Sequence, residues 1–203
     1  DPATIQAVVL SHAHIDHSGY LPKLVREGFA GPVYCTPPTA DLLEIMLIDS
    51  AKLQEEETAY AIHKGYSRHA QPLPLYTETD AKAVFPLLKT FHYNETFQLN
   101  KRISVTYRDA GHLLGSAITE ITIQGDNQKK KIIFSGDLGR YQNEMLHPPA
   151  AIEETDVLFV ESTYGNKHNP VGNPEEELAC IINETFDKNG VLLIPAFSVG
   201  RTQ

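Results

Sequence analysis

Cysteine is scarce in this chain of 203 residues: there are two, Cys35 and Cys180, far apart and in no CxxC pair. The simplest interpretation is two buried thiols in a reducing compartment rather than a disulfide framework. Long apolar runs are missing too. None approaches the roughly 18 residues that span a bilayer, so no membrane partner is expected. The opening Asp1-Pro2-Ala3-Thr4 has neither the basic nor the apolar region of a signal peptide, and a cytoplasmic location is expected. The first residue is not methionine, so we expect a segment of a longer polypeptide or a processed one. Basic residues are in deficit, 17 Lys and Arg against 26 Asp and Glu, for a net charge of −9. That argues against a broad nucleic-acid-binding surface, because phosphate contacts need cations; a local basic groove stays open. Repeats and low-complexity linkers are absent. What remains, 41% hydrophobic and 21% charged residues, is an ordinary globular composition with length enough to bury a core.

Short apolar runs bounded by turn residues predict strands at residues 7–10, 103–107, 118–123, 132–134, 157–160 and 191–194. The continuous ones suit strands covered on both faces. Gly125-Asp126-Asn127 predicts a hairpin turn into Lys129–Phe134. Helices are expected at Leu21–Glu27, from Thr39 as N-cap to about Lys64 with Gly65 as stop, at Asp80–Thr90, and from Pro174 through Glu184 with Asn173 as cap. In the second of these, Leu42, Met46, Ser50 and Leu53 recur at helical spacing, and Glu55-Glu56-Glu57 reads as a solvated face. The element order points to a layered α/β domain rather than a purely parallel sheet.

The chemistry concentrates in Ser11-His12-Ala13-His14-Ile15-Asp16-His17, directly after an apolar strand. Imidazole nitrogen and carboxylate oxygen suit zinc or a similar divalent ion. On a turn, His12 and His14 can face one ion while Asp16 and His17 face a second. Three further groups share one positional feature. His112 comes after the strand ending at Tyr107, Asp137 after Ile132–Phe134, and Glu161 after Val157–Val160. Each lies past the carboxyl end of a strand, where α/β sheets place their ligands. Singly, His112 fits a core histidine, Asp137 a turn former beside Gly136, and Glu161 a helix cap; together with the histidine cluster they form a constellation. Two ions roughly 3.5–4 Å apart can share a hydroxide and hold substrate oxygens, and a carboxylate such as Asp137 is the natural bridge between them. His63, His69, His92, His147 and His168 show no ligand spacing and are expected at the surface or behind the site.

The segment His12-Ala13-His14-Ile15-Asp16-His17 resembles the HxHxDH signature of the metallo-β-lactamase fold. Gly111-His112 and Ser135-Gly136-Asp137 resemble its later metal motifs, in the right order. Residues 111–117 (Gly-His-Leu-Leu-Gly-Ser-Ala), 161–165 (Glu-Ser-Thr-Tyr-Gly) and 195–201 (Pro-Ala-Phe-Ser-Val-Gly-Arg) are similar to the β-CASP branch of RNA-processing nucleases. The resemblance covers nearly the whole chain. It implies a layered αββα domain, incomplete at both ends, over residues 1–195, with 196–203 as the truncated start of a β-CASP domain. It further implies that His12, His14 and His112 hold a first zinc ion, that Asp16 and His17 hold a second, and that Asp137 bridges them.

Asp16, Asp137 and Glu161 are then the expected catalytic groups, Glu161 orienting a histidine from further along the family's chain. Ser162, Tyr164 and Arg201 are candidate substrate contacts. The implied function is zinc-dependent hydrolysis of RNA phosphodiesters by a metal-bridged hydroxide, with RNA as partner and a homodimer left open. The alternatives are hydrolysis of small esters, thioesters or lactones on the same fold, and an inactive scaffold subunit, against which the intact His12–His17 cluster argues. The family pattern has strands before HxHxDH and two later histidines not found in residues 1–203, so the expectation for this chain alone is a weak second metal site and little native nuclease activity.

Overall fold

The computed structural model describes residues 1–126, 128–142, 145–167, 172–197 and 199–200. The chain divides into two compact units, Asp1–Glu161 and Ser162–Gln203. The first unit begins with strand β1 (Val8–Val9), followed by the short helices α1 (Ile15–Ser18) and α2 (Leu21–Arg26). Then come β2 (Val33–Cys35), the long helix α3 (Pro37–Lys64), α4 (Glu78–Val84) and β3 (Leu88–Thr90). The strands β4 (Thr96–Gln98), β5 (Ile103–Asp109), β6 (Ala117–Gln124), β7 (Lys129–Phe134) and β8 (Val157–Phe159) complete it.

Two sheets result. β1, β2 and β3 form a parallel three-stranded sheet in that order. β4 to β8 form a five-stranded sheet in sequence order, antiparallel except for the parallel β7–β8 pair. Because side chains alternate across a strand, the first sheet has two apolar faces. Val8, Val33 and Cys35 join Leu43, Leu47 and Ala51 of α3 in one core, while Val9 and Tyr34 point the other way. There they meet Phe97, Val105, Tyr107 and Ala117 of the second sheet. Phe91 stacks on Phe97 with ring centroids 4.1 Å apart, and Tyr34 on Phe97 at 4.9 Å. The unit is thus helix on sheet on sheet, and the strand ends of both sheets are available to one site. The expected mixture of α and β with a hairpin, as against a purely parallel sheet, is what the chain adopts. Gly125 N–H donates to the Gln128 carbonyl across that hairpin at 2.9 Å, and Asn127 lies outside the described residues.

Several local expectations need correction. The N-cap of α3 is Thr36, not Thr39: its hydroxyl accepts from the Thr39 amide, and Pro37 and Pro38 occupy the first helical turn. Proline fits there because its missing N–H would have had no helical partner. The fully buried row of α3 is Thr39, Leu43, Leu47 and Ala51, with Leu42 and Met46 on its flank and Leu53 exposed. Residues 80–90 are not one helix. α4 starts at Glu78 with a Thr77–Asp80 capping box, gives way to a 3-10 turn at Phe85–Leu87 around Pro86, and becomes strand β3. The three-residue strands β2, β3 and β4 are too short for a periodicity signal. Val157, Leu158, Phe159 and Val160 are exposed rather than covered on both faces, β8 being the outer strand of its sheet.

The second unit holds helix α5 (Pro174–Asp187), capped as expected by Asn173, whose side chain accepts from the Glu175 amide with three glutamates in the first turn. Residues 191–194 form no strand; an apolar run specifies which residues avoid water, but a strand also needs a partner for its backbone. Cys35 is buried and Cys180 exposed, and neither is in a disulfide. Among the described residues no helix is long and apolar enough to cross a membrane.

Leu47 lies fully buried between helix and sheet. Leu47→Ala is expected to cost about 2–5 kcal/mol of unfolding free energy, the range for a cavity in a well-packed core. Urea unfolding followed by circular dichroism checks it; a loss below about 1 kcal/mol would show that this helix–sheet seam does not carry the first unit.

Candidate metal centre

Each chemistry-bearing residue sits where a strand has just ended. β1 runs into Leu10, whose amide donates to the Tyr34 carbonyl, and the chain then turns through Ser11 and His12 to His14, the residue capping α1. Ser18 holds this turn closed by donating to the Ala13 and His14 carbonyls at 2.9 Å each. His112 lies on the loop between β5 and β6, and Asp137 on the loop after β7. The loops are knitted by backbone contacts: Ala117 N–H donates to the Ser11 carbonyl at 2.8 Å and Gly139 N–H to the Ala110 carbonyl at 2.8 Å. Gly136, at φ +56°, lies against Ser11 so closely that an added Cβ would come within 2.9 Å of the Ser11 Cβ. Gly139 is packed onto the backbone of Gly111 and His112 with no room for any side chain. These two glycines bring the Asp137 loop into register with the histidines.

The resulting geometry is a convergence of lone pairs. His12 Nε2 lies 3.1 Å from His14 Nδ1, and His112 Nε2 lies 3.3 Å from the same atom. Asp137 Oδ2 is 3.7 Å from His12 Nε2 and 3.6 Å from His112 Nε2. One ligand atom from each of His12, His14, His112 and Asp137 falls within 4.8 Å of all the others. Metal–nitrogen bonds of about 2.0–2.1 Å in a tetrahedron place neighbouring donors about 3.3 Å apart, so the nitrogen spacings suit a small divalent cation. The other carboxylate oxygen, Asp137 Oδ1, faces His17 Nε2 at 3.4 Å. Asp137 therefore offers one oxygen to the three-histidine group and the other to His17. Asp16 reaches the cluster only through His17, with Oδ2 3.6 Å from its Nε2, and is mostly in solvent.

Electrostatics within the cluster favour neutral imidazoles. His12 is fully buried, and its pKa falls to about 3, chiefly through burial and further through His17, His14 and His112. Burial also lowers the His112 pKa, opposed by the nearby Asp137 carboxylate. Ser11 Oγ lies 3.0 Å from His12 Nδ1. A proton held on Nδ1 and shared with that hydroxyl leaves the His12 Nε2 lone pair directed into the cluster, the usual outer partner of a ligating histidine. Ser116 Oγ accepts from the amides of His112 and Leu113 at 3.0 Å each, and Asp109 Oδ1 accepts from Gly111 N–H at 2.8 Å. Ser11, Ser116 and Asp109 were not singled out from sequence; the available signal was their position one to four residues from a candidate ligand.

Glu161 stands behind the carboxylate loop. Its Oε1 accepts from the Leu138 amide at 3.1 Å, and its own amide donates to Ser135 Oγ at 3.0 Å. It therefore braces residues on both sides of Asp137. Ser162 and Tyr164 belong to the second unit, where Tyr164 is exposed and the Lys167 ammonium lies 5.4 Å from its ring centroid. Arg201 and His168 lie outside the described residues.

Comparison with known proteins identifies the family. The family model described as "Metallo-beta-lactamase superfamily domain" matches residues 2–162. Ribonuclease TTHA0252 of Thermus thermophilus is 35% identical over 204 aligned positions, spanning 100% of this chain and 42% of that protein. Transcription termination factor FttA of Methanothermobacter thermautotrophicus is 36% identical, spanning 98% of this chain and 30% of that one. Its counterpart from Methanocaldococcus jannaschii is 34% identical over the same shares. The chain thus spans less than half the length of these relatives.

The buried neutral His12 contributes to the acid response of the metal-free chain. Its folded pKa lies below the unfolded value near 6.5, so the unfolded state binds the proton first. Its contribution to stability is complete above about pH 6.5 and is lost as the pH falls towards about 3. In EDTA, the melting temperature is expected to drop over that window, and His12→Asn to flatten the slope. Equal slopes for the two proteins would contradict the burial of His12.

Proposed function

The chain belongs to the metallo-β-lactamase superfamily, and we propose that it forms the metal-bearing part of a β-CASP-type ribonuclease, a hydrolase of RNA phosphodiesters. The observation that carries this reading is the convergence of His12, His14, His112 and Asp137 from strand ends of two sheets. The named ribonuclease and termination-factor relatives, alike over nearly the whole chain, support RNA as the substrate. We read residues 1–195 as the metallo-β-lactamase portion and 196–203 as the start of a β-CASP portion. Cytoplasmic residence and a homodimer stay expectations of the sequence.

The donor set fits zinc: imidazole nitrogens with one carboxylate, closely spaced and partly withdrawn from water, with His12 kept neutral by burial. His12, His14 and His112 would hold a first ion, Asp16 and His17 a second, and Asp137 would serve both through its two oxygens. When bound, divalent ions would supply Lewis acidity and lower the pKa of water towards about 7.

The protein's own groups do the rest. His12, shielded from solvent, keeps its lone pair across the physiological pH range. Ser11 Oγ partners His12 Nδ1, and Ser116 holds the backbone that carries His112. Asp137 supplies negative charge that balances the cations, while Glu161 keeps that carboxylate aimed by holding Leu138 N–H. Asp16 lies exposed beside His17, with Oδ2 3.6 Å from its Nε2.

The test uses the complete protein that contains this chain. It is expected to cleave single-stranded RNA, to lose activity in chelator, and to recover it with zinc. Asp137→Asn should lower turnover by at least about 10–100-fold, the range for a disturbed metal site, without unfolding the protein. A zinc-loaded protein that leaves RNA intact but hydrolyses a chromogenic ester, thioester or lactone would replace the ribonuclease reading with that of a small-ester hydrolase, which the net charge of −9 would suit.

A further inference from the structure

The loop that carries His112 is gripped from outside the metal centre. The carbonyl of Gly115 receives the hydroxyls of Thr36 at 2.6 Å and Thr39 at 3.0 Å, residues 79 and 76 positions away in sequence. Both threonines are buried to 2% exposure or less. They sit in the first turn of α3, where Thr36 Oγ1 also accepts the Thr39 amide as helix cap. Gly115 takes φ +81°, and an added Cβ would stand 2.7 Å from both Thr36 Oγ1 and the Thr39 nitrogen. One residue on, the Ser116 carbonyl accepts from the Tyr93 hydroxyl at 2.8 Å. The same Ser116, through its Oγ, holds the amides of His112 and Leu113. Three hydroxyls from two distant segments thus hold two consecutive carbonyls, and the side chain between those carbonyls holds the backbone of His112.

We propose that Thr36, Thr39 and Tyr93 are positioning residues for the metal centre, acting through the Gly115–Ser116 backbone to hold His112 within reach of its partner ligands. Helix capping alone accounts for Thr36 accepting the Thr39 amide; it does not account for two buried hydroxyls meeting on a carbonyl of another loop. Buried hydroxyls cost stability unless hydrogen-bonded, and here the acceptor belongs to the segment whose aim decides the site. Freed from the clamp, the loop would let His112 Nε2 leave the position 3.3 Å from His14 Nδ1, and the centre would lose a donor. The inference rests on the metal-centre reading above.

The experiment measures zinc affinity by chelator competition, and the visible spectrum of the cobalt(II) form, on the full chain and its variants, each with a thermal melt. The double change Thr36→Val with Thr39→Val is expected to weaken zinc binding by about 10–100-fold, as loss of outer partners of metal ligands does, and to alter the cobalt spectrum. Thr39→Ser, which keeps the hydroxyl, should restore both. Tyr93→Phe, at a half-buried position, should shift affinity in the same direction. Tyr76→Phe removes a hydrogen bond of 2.8 Å to Ser50 in the same helical core, remote from the loop, and should lower the melting temperature with zinc affinity unchanged.

Wild-type zinc affinity in folded Thr36→Val/Thr39→Val protein overturns the proposal. So does an affinity loss matched by Tyr76→Phe at equal loss of stability. Should the double variant not fold, Tyr93→Phe decides: unchanged affinity and spectrum overturn it. A wild-type chain that takes up neither zinc nor cobalt would instead bring down the metal-centre reading, and this inference with it.

Discussion

Three imidazole nitrogens and a carboxylate oxygen held within 4.8 Å of one another are an arrangement that no covalent bond enforces. Lone pairs so placed repel, and burial of His12 removes the water that would soften the repulsion. Something else must hold them, and in this chain it is the backbone. Loops from two sheets are locked by amide–carbonyl contacts, and glycines at positions 115, 136 and 139 allow approaches that no other residue permits. Protonating His12 or His112 would relieve the crowding of lone pairs, but burial lowers the basicity of these two. A cation is the group that satisfies the arrangement.

The layered fold is the means to that end. Alternation along β1 and β2 sends one set of side chains to the helices and the other to the second sheet. The two sheets therefore pack face to face with their strand ends at a common rim. The first sheet supplies His12 and His14 from the turn after β1; the second supplies His112 and Asp137 from loops flanking β5 to β7. The helix–sheet core and the metal centre meet at the first turn of α3, where a helix cap and a loop anchor are the same pair of side chains.

Legibility in the sequence followed the range of the physics involved. The HxHxDH cluster was visible because its donors are local, and the constellation with His112 and Asp137 because each follows an apolar strand. The buried row of α3 was offset from the most apolar spacing because Thr39 and Ala51 lie on it. Thr39 follows Pro37-Pro38 and so looks like the cap, but proline is compatible with a first helical turn and the cap is Thr36. The composition of residues 80–90 suits one helix, but Pro86 ends helix formation and Leu88–Thr90 pairs with β2. The grip on Gly115 had no sequence signal at all: it joins residues 76 and 79 positions apart, and only the packed backbone brings them together.

That the ligands are divided between two sheets makes an ion more than a reagent. Bound at the rim, it would cross-link the layers and stabilise the assembled sandwich over any form in which they part, by an amount that grows with the free metal concentration over its dissociation constant. Resistance of the sheet–sheet seam to proteases would then track cellular metal supply, so that starvation for the ion shortens the lifetime of the fold as well as silencing its chemistry.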